Sequence, residues 1–138
     1  MTAARRRHGT SVAEAVLDAS ALLAFIRREP GAEKVAKALP RSCISAVNLA
    51  ETLGKMVEHG KPLEESGYQI ERLRIAVFPF DEQHARIAAS FWKPTRDVGM
   101  SLGDRACLAL ALTLSLPAFT TEDAWTKCDL GVEVVKIR

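Results

Sequence analysis

The sequence has 138 residues and a mass of 15.1 kDa, a length that suits one domain. Hydrophobic residues make up 48% and charged residues 26% of it, which excludes a disordered or collagen-like chain. Its 19 Lys and Arg against 17 Asp and Glu give a net charge of only +2, and this surplus falls within residues 1–14. The sequence is therefore not that of a generally basic nucleic-acid binder.

Residues 1–13 are predicted to form a flexible basic arm, followed by a single domain over residues 14–138. No apolar stretch follows Arg7, so we expect no secretory signal, and no apolar run approaches the roughly 20 residues of a membrane span. Cys43 and Cys107 lie in apolar runs, which favours buried, reduced thiols. These features predict a protein of the reducing cytoplasm.

Short apolar strands alternate with helices along the chain. The first half is predicted to contain strands at 15–17 and 43–45 and helices at 20–28, 32–39, 47–58 and 62–74. Ser20 is expected to cap the first of these helices, and Gly60 is expected to end the third.

The second half continues the same alternation. It is predicted to contain strands at 75–78, 117–120 and 132–137, helices at 82–92 and 101–116, a polar loop at 93–100 and a short helix at 124–126. Crossovers long enough for helices predict a parallel sheet of about five strands with helices on both faces, an α/β/α sandwich. Such folds bind ligands outside the carboxyl ends of their strands.

Four acidic residues occupy comparable positions beside the predicted strand ends. Asp18 directly follows the first strand, Glu51 lies one turn inside the next long helix, Asp104 lies in the first turn of the most apolar helix, and Asp123 follows the strand at 117–120. Four carboxylates in one small pocket repel one another unless a cation neutralises them, and Mg²⁺ and Mn²⁺ prefer oxygen ligands. The acids therefore indicate a divalent-cation site at which water attacks a phosphodiester.

Each of these acids, taken alone, also has a purely structural interpretation. Ser101 and Asp104 have the spacing of a helix capping box. Glu51 and Asp123 could be solvated acids on or before a helix. Asp18 is the least ordinary of the four, because an acid at the end of a buried strand needs a partner.

Four segments resemble, in order, the motifs of a PIN domain: VLDASALLA at 16–24, SAVNLAE at 45–51, LGDRACLALA at 102–111 and TTEDAW at 120–125. Their order and spacing, and the short chain, are similar to the VapC toxins of VapBC toxin–antitoxin modules. The resemblance covers about residues 15–137. The arm at 1–13 departs from it, since such toxins usually begin almost at the first strand.

The resemblance implies a single PIN domain that acts as a Mg²⁺- or Mn²⁺-dependent endoribonuclease and as the toxin of a type II module. It implies a catalytic quartet consisting of Asp18, Glu51, Asp104 and Asp123, with Ser20 as an accessory hydroxyl and Thr121 as a supporting polar group. Asp18 and Asp104 are expected to contact the metal, and Glu51 and Asp123 are expected to act through water.

The same resemblance implies an RNA substrate, a homodimer, a VapB-type antitoxin that blocks the site, and contact with promoter DNA only through that antitoxin. The predicted antitoxin contacts are Leu22, Phe25, Leu63 and Tyr68, because their two helices carry more apolar surface than a chain this small can bury. A basic antitoxin side chain, Arg above all, is expected to enter the acidic pocket.

Three alternatives belong to other classes of protein. A phosphatase of the haloacid dehalogenase type needs a second Asp two residues after the first, where this chain has Ser20. A receiver domain needs paired acids after its first strand and a Lys after its last core strand, and neither pattern is present. A non-enzymatic adaptor with the same fold is the third alternative, and only an activity assay separates it from a nuclease.

Overall fold

The computed structural model describes residues 13–138, so all but the last residue of the predicted basic arm lies outside the described residues. The strands are β1 (Ala15–Leu17), β2 (Ser42–Ser45), β3 (Ala76–Phe78), β4 (Ala118–Thr120) and β5 (Val134–Lys136). The α-helices are α1 (Ala19–Ile26), α2 (Ala32–Ala38), α3 (Ala46–Glu58), α4 (Leu63–Glu71), α5 (Glu82–Ser90), α6 (Trp92–Thr95) and α7 (Leu102–Leu114). Short 3₁₀ helices span Leu39–Arg41, Arg96–Val98 and Asp123–Lys127.

The five strands form one parallel sheet in the order β3-β2-β1-β4-β5, which confirms the predicted architecture. β1 is central, and Leu17 pairs with Ile44 on one side and with Phe119 on the other. The residues that follow these three therefore lie in one row at the carboxyl edge of the sheet: Asp18, Ser45 and Thr120.

Alternate residues of the central strands enter two separate cores. Leu17 and Ile44 pack with the helices α1 to α4 on one face of the sheet. Val16 and Cys43 pack with α5 and α7 on the other face, where Leu108 is also buried. Burial on both faces explains why the strands read as continuous apolar runs.

Two local predictions from sequence are wrong. Asp18, rather than Ser20, is the N-cap of α1, because its backbone is extended and its carboxylate accepts a hydrogen bond from the Ala21 amide. The loop predicted at 93–100 is largely helical, with α6 followed by a 3₁₀ turn. Pro94 is compatible with α6 because it lies in the first turn of that helix, where no intrahelical amide bond is lost.

The predicted burial of Cys43 and Cys107 is confirmed, and none of the three cysteines is paired in a disulfide in this structure. Burial raises the pKa of the Cys43 thiol to about 12 and raises that of Cys107 as well, so both behave as small apolar side chains. Within residues 13–138, no helix has the length and apolar character that crossing a membrane requires.

Candidate active site

A cavity of about 310 Å³ opens at the carboxyl edge of the sheet, above the end of β1. Its lining comes from four separate segments of the chain: Asp18, Ala19, Ser20 and Leu23; Asn48, Glu51 and Lys55; Ser101 and Asp104; and Glu122. The parallel sheet and its right-handed crossovers thus bring together acids that are far apart in sequence.

Asp18 forms the floor of this cavity and is 3% exposed. Its carboxylate accepts hydrogen bonds from the hydroxyl of Ser20 at 2.7 Å and from the hydroxyl of Thr120 at 2.6 Å. The amide of Ala21 donates a third bond at 2.7 Å. These bonds leave the carboxylate a single orientation, with its position fixed by both β1 and β4.

Burial raises the pKa of Asp18 to about 6, even though its three hydrogen-bond donors favour the charged form. The negative charge of Asp104 raises this pKa further. Among residues 13–138, no Lys, Arg or His forms a salt bridge with Asp18, and a cation bound nearby would compensate the charge of its ionised form.

Glu51 reaches the cavity from α3, where it is held by a buried amide. Asn48 donates from Nδ2 to Glu51 Oε1 at 3.0 Å and to the Gly103 carbonyl at 2.9 Å, so one side chain joins α3 to α7. A Cβ atom on Gly103 would lie 2.2 Å from Glu51 Oε2, so the absence of a side chain there makes room for this carboxylate. Among the described residues, Asn48 Oδ1 has no partner although the side chain is buried.

Asp104 is fixed by the start of α7. Its carboxylate accepts from the Ser101 amide at 3.0 Å, and the Ser101 hydroxyl accepts from the Asp104 amide at 3.1 Å, which completes the predicted capping box. The structural interpretation of Asp104 is therefore correct, and the same residue also lines the cavity.

The segment after β4 brings Glu122 into the cavity lining and leaves Asp123 out of it. Asp123 is exposed and forms a salt bridge with Lys136 of β5, which lowers the pKa of its carboxyl group. Thr121 lies next to the site through its backbone, because its amide donates to the Ser20 hydroxyl at 3.0 Å. The role predicted for Asp123 stays a prediction, and its place in the structure differs from that of the other three acids.

The donor set of the cavity fits a hard divalent cation. Asp18, Glu51 and Asp104 supply carboxylate oxygens, the ligands that Mg²⁺ and Mn²⁺ prefer. Between residues 13 and 138, no three His, Cys, Asp or Glu side chains approach closely enough in this conformation to hold a metal ion. Each of the three carboxylates accepts hydrogen bonds from its own neighbours, which fix its orientation towards the cavity.

The family model of the PIN domain matches residues 15–128, which include all of these acids. The chain belongs to the PIN domain family. No curated protein sequence matches it significantly.

Solved structures show the same fold. The DNA-bound VapBC of Salmonella typhimurium gives a TM-score of 0.72 at 17% identity, over 92% of this chain and 100% of that chain. VapBC-1 of nontypeable Haemophilus influenzae gives a TM-score of 0.69 at 21% identity, over 89% of this chain and 97% of that chain. VapBC-5 of Mycobacterium tuberculosis, a member of the VapBC family of toxin–antitoxin systems, gives a TM-score of 0.57 at 25% identity, over 91% of this chain and 98% of that chain.

The four predicted antitoxin contacts occupy different environments in this PIN domain. Leu22 is fully buried in the core, and Phe25 is half-buried. Leu63 and Tyr68 of α4 are 62% and 65% exposed. Leu22 is therefore inaccessible in this conformation, whereas α4 presents a free apolar surface.

The predicted site does not include Thr120, Asn48, Glu122 or Lys55, all of which the structure places in or beside the cavity. Thr120 was assigned only to a strand, although its position at the strand end, level with Asp18, was a usable signal. Asn48 precedes Glu51 by three residues, the spacing of one helical turn, which places both on one face. Glu122 gave no signal that separated it from Asp123, because the turn after β4 decides which of two adjacent acids faces inward.

Proposed function

We propose that this PIN domain is the toxin of a type II toxin–antitoxin module and acts as an endoribonuclease that depends on Mg²⁺ or Mn²⁺. The observation that supports this most is the convergence of Asp18, Glu51 and Asp104 on one cavity at the carboxyl edge of the sheet. An adaptor that only binds partners has no need for a buried acid whose charge is uncompensated.

The proposed metal ligands are Asp18 and Asp104, with Glu51 acting through water. The fourth acid has two candidates. Glu122 lines the cavity, and Asp123 is the residue that the sequence predicts; either would act on the metal through water. A divalent cation at this place would supply Lewis-acid polarisation of the scissile phosphate and a lowered pKa for the attacking water.

The protein's own contribution is to position these oxygens before any substrate arrives. Ser20 and Thr120 orient the Asp18 carboxylate, and Asn48 holds Glu51 against the backbone of Gly103. Because the donors lie on a strand end and on helix starts, they are rigid, and rigid donors avoid the cost of reorganisation when charge develops on the phosphate.

The proposed partners follow from the neighbours and from the surface. Several solved neighbours are toxin–antitoxin complexes, and some of these contain DNA. We extend this to a VapB-type antitoxin that covers the exposed side chains of Leu63 and Tyr68, a homodimer, promoter contact through the antitoxin alone, and a cytoplasmic location. A basic antitoxin side chain would replace the cation in the acidic cavity.

The test of the activity is a cleavage assay with the purified chain on a panel of single-stranded RNAs. We expect cleavage with Mn²⁺, none with EDTA, and recovery when Mn²⁺ is restored. Cleavage that persists in EDTA, or no cleavage of any RNA with Mn²⁺, would contradict the proposal and favour the adaptor.

The antitoxin is tested separately by co-expression with the adjacent small open reading frame. We expect a stable complex, protection from toxicity, and weaker binding by a Tyr68→Asp variant that still cleaves RNA. Failure to form a complex would remove the antitoxin assignment and leave the nuclease assignment standing.

A further inference from the structure

Helices α1 and α3 both line the acidic cavity, through Leu23 and Lys55, and we call the surface between these two helices the groove. Both helices begin at the carboxyl edge of the sheet, where Asp18 caps α1 and Ser45 caps α3. On α3, Glu51, Lys55 and His59 follow one another at intervals of four residues, so they form one stripe with a rise of about 6 Å per step.

The facing stripe of α1 consists of Ser20, Leu23 and Arg27. Ser20 and Leu23 line the cavity together with Lys55. At the far end of the groove, Arg27 Nη2 lies 3.3 Å from His59 Nδ1. The two stripes therefore face each other from the acidic cavity to the ends of both helices.

The sign of the charge reverses along this groove. Asp18, Glu51 and Asp104 lie at the sheet end, and within the described part of the chain Lys55 is the one cationic side chain that lines that cavity. Arg27 lies one helical turn beyond Leu23, next to His59. We name Arg27 and Lys55 the cationic track.

Both members of the track have donors free for a ligand. Arg27 approaches His59 through Nη2 alone, so its other guanidinium N–H groups have no hydrogen-bond partner among residues 13–138. Arg27 forms no salt bridge with any carboxylate of residues 13–138. Lys55 pairs with Glu58 at 3.3 Å, but both side chains are more than half exposed, and such pairs contribute little.

We propose that the cationic track binds backbone phosphates of a single-stranded RNA next to the phosphate that enters the acidic cavity. This inference rests on the proposed function for the identity of the substrate. An acidic cavity repels a polyanion, so a nearby positive charge is needed to hold the strand in place. The guanidinium of Arg27 has the planar donor geometry that suits phosphate oxygens, and Lys55 supplies a point charge closer to the cavity.

The experiment measures binding of a short fluorescein-labelled single-stranded RNA by anisotropy, at several KCl concentrations and in EDTA. For the double variant Arg27→Gln and Lys55→Gln, we expect the slope of log K against log salt to become shallower by about 1.4, since each phosphate contact on a single strand contributes about 0.7. With this slope, the affinity should fall about tenfold at about 0.2 M KCl and by a larger factor at lower salt. Under Mn²⁺, the cleavage assay should show a raised KM and a nearly unchanged kcat.

Two matched controls use exposed cations and an exposed acid. The double variant Arg86→Gln and Lys93→Gln removes the same two charges from α5 and α6 and should bind RNA as the wild type does. Glu58→Gln removes the only carboxylate paired with Lys55 among the described residues, so it should bind slightly more tightly.

The failure of the track and the failure of the nuclease give different results. An unchanged slope for the Arg27 and Lys55 double variant, with normal cleavage by the wild type, overturns the track alone. A shallower slope without any cleavage by the wild type supports the track and contradicts the nuclease. If the double variant keeps its RNA affinity but loses a protein partner, the groove belongs to that partner and the proposal is wrong.

Discussion

Asp18 and Asp123 both follow a strand of the same sheet, yet their surroundings are opposite. Asp18 is buried among hydroxyl and amide donors, and burial raises its pKa to about 6. Asp123 is exposed, and Lys136 lowers its pKa. Among the described residues, Asp18 has no salt-bridge partner, whereas Asp123 is paired with Lys136.

This difference shows that an acid after a strand is not by itself a site residue. Asp18 is the first residue beyond β1, and it caps a helix that turns back over the sheet, so its side chain points into the cavity. Asp123 is the third residue beyond β4, and the turn carries it outward. The intervening Glu122 lines the cavity instead.

The largest expected effect is on catalysis. Under the proposed function, Asp18→Asn or Asp104→Asn should lower the cleavage rate on the order of 10²-fold or more, because each removes a charged oxygen that would hold the metal. Asp97→Asn is the matched control, since that carboxylate is 96% exposed and outside the cavity. A fully active Asp104→Asn protein would contradict the assignment.

A smaller expected effect distinguishes the two acids after β4. Glu122→Gln should lower cleavage about 10-fold to 100-fold if its carboxylate orients water, since this residue lines the cavity. Asp123→Asn should change the rate by less than about twofold, because it removes only an exposed ion pair. Equal losses for both variants would contradict this distinction and support the role that the sequence predicts for Asp123.

The two aspartates should also affect stability with opposite dependence on pH in EDTA. The folded-state pKa of Asp18, about 6, lies above its ordinary value of 3.8. The protonated carboxyl group therefore contributes fully to the free energy of unfolding below pH 4, and this contribution is lost as the pH rises through 6. Relative to the Asp18→Asn variant, the free energy of unfolding of the wild type should fall by up to about 3 kcal/mol between pH 4 and pH 8. Urea unfolding at several pH values measures this difference.

For Asp123 the sign is reversed, because its pKa is lowered in the folded state. Its stabilising contribution is present above the unfolded-state pKa and is lost in acid. The difference in the free energy of unfolding between the wild type and the Asp123→Asn variant should therefore shrink as the pH falls. If this difference grows in acid for Asp123, the salt bridge with Lys136 does not stabilise the folded state. If the corresponding difference for Asp18 stays constant with pH, the pKa of Asp18 is not raised by burial.

The smallest expected effect concerns the hydroxyl that joins β4 to Asp18. Thr120→Val keeps the shape of the side chain but removes the donor at 2.6 Å, so stability at neutral pH should fall by about 1–2 kcal/mol. The pKa of Asp18 should rise further, which moves the pH dependence of stability upward. Thr113→Val on α7, whose hydroxyl bonds only a helix carbonyl, is the control.

The sheet and most helices were predictable because their signals are local. The apolar strands at Val16 and Ile44, and the capping box of Ser101 and Asp104, encode their structure within a few residues. The same locality explains the prediction of Asp18, since a charged residue at the end of a buried strand always needs a partner.

The missed features depend on contacts between distant segments. The choice of Asp18 over Ser20 as the N-cap depends on where β1 ends, and both residues are good caps. The burial of Leu22 and the exposure of Tyr68 depend on which helix stripe meets the sheet, and the apolar periodicity of their helices alone does not decide this. The orientation of Glu122 and Asp123 is set by a turn that Lys136 and Ser20 constrain from other strands and helices.

Under the proposed function, the acids at the carboxyl edge of the sheet form the metal site of this PIN domain. Anomalous diffraction of Mn²⁺ in crystals of the full chain tests this assignment. We expect a manganese peak in the cavity, coordinated by Asp18 and Asp104, with Glu51 within reach of its water. A peak beside Asp123 and Lys136, or an empty cavity at saturating Mn²⁺, would contradict it.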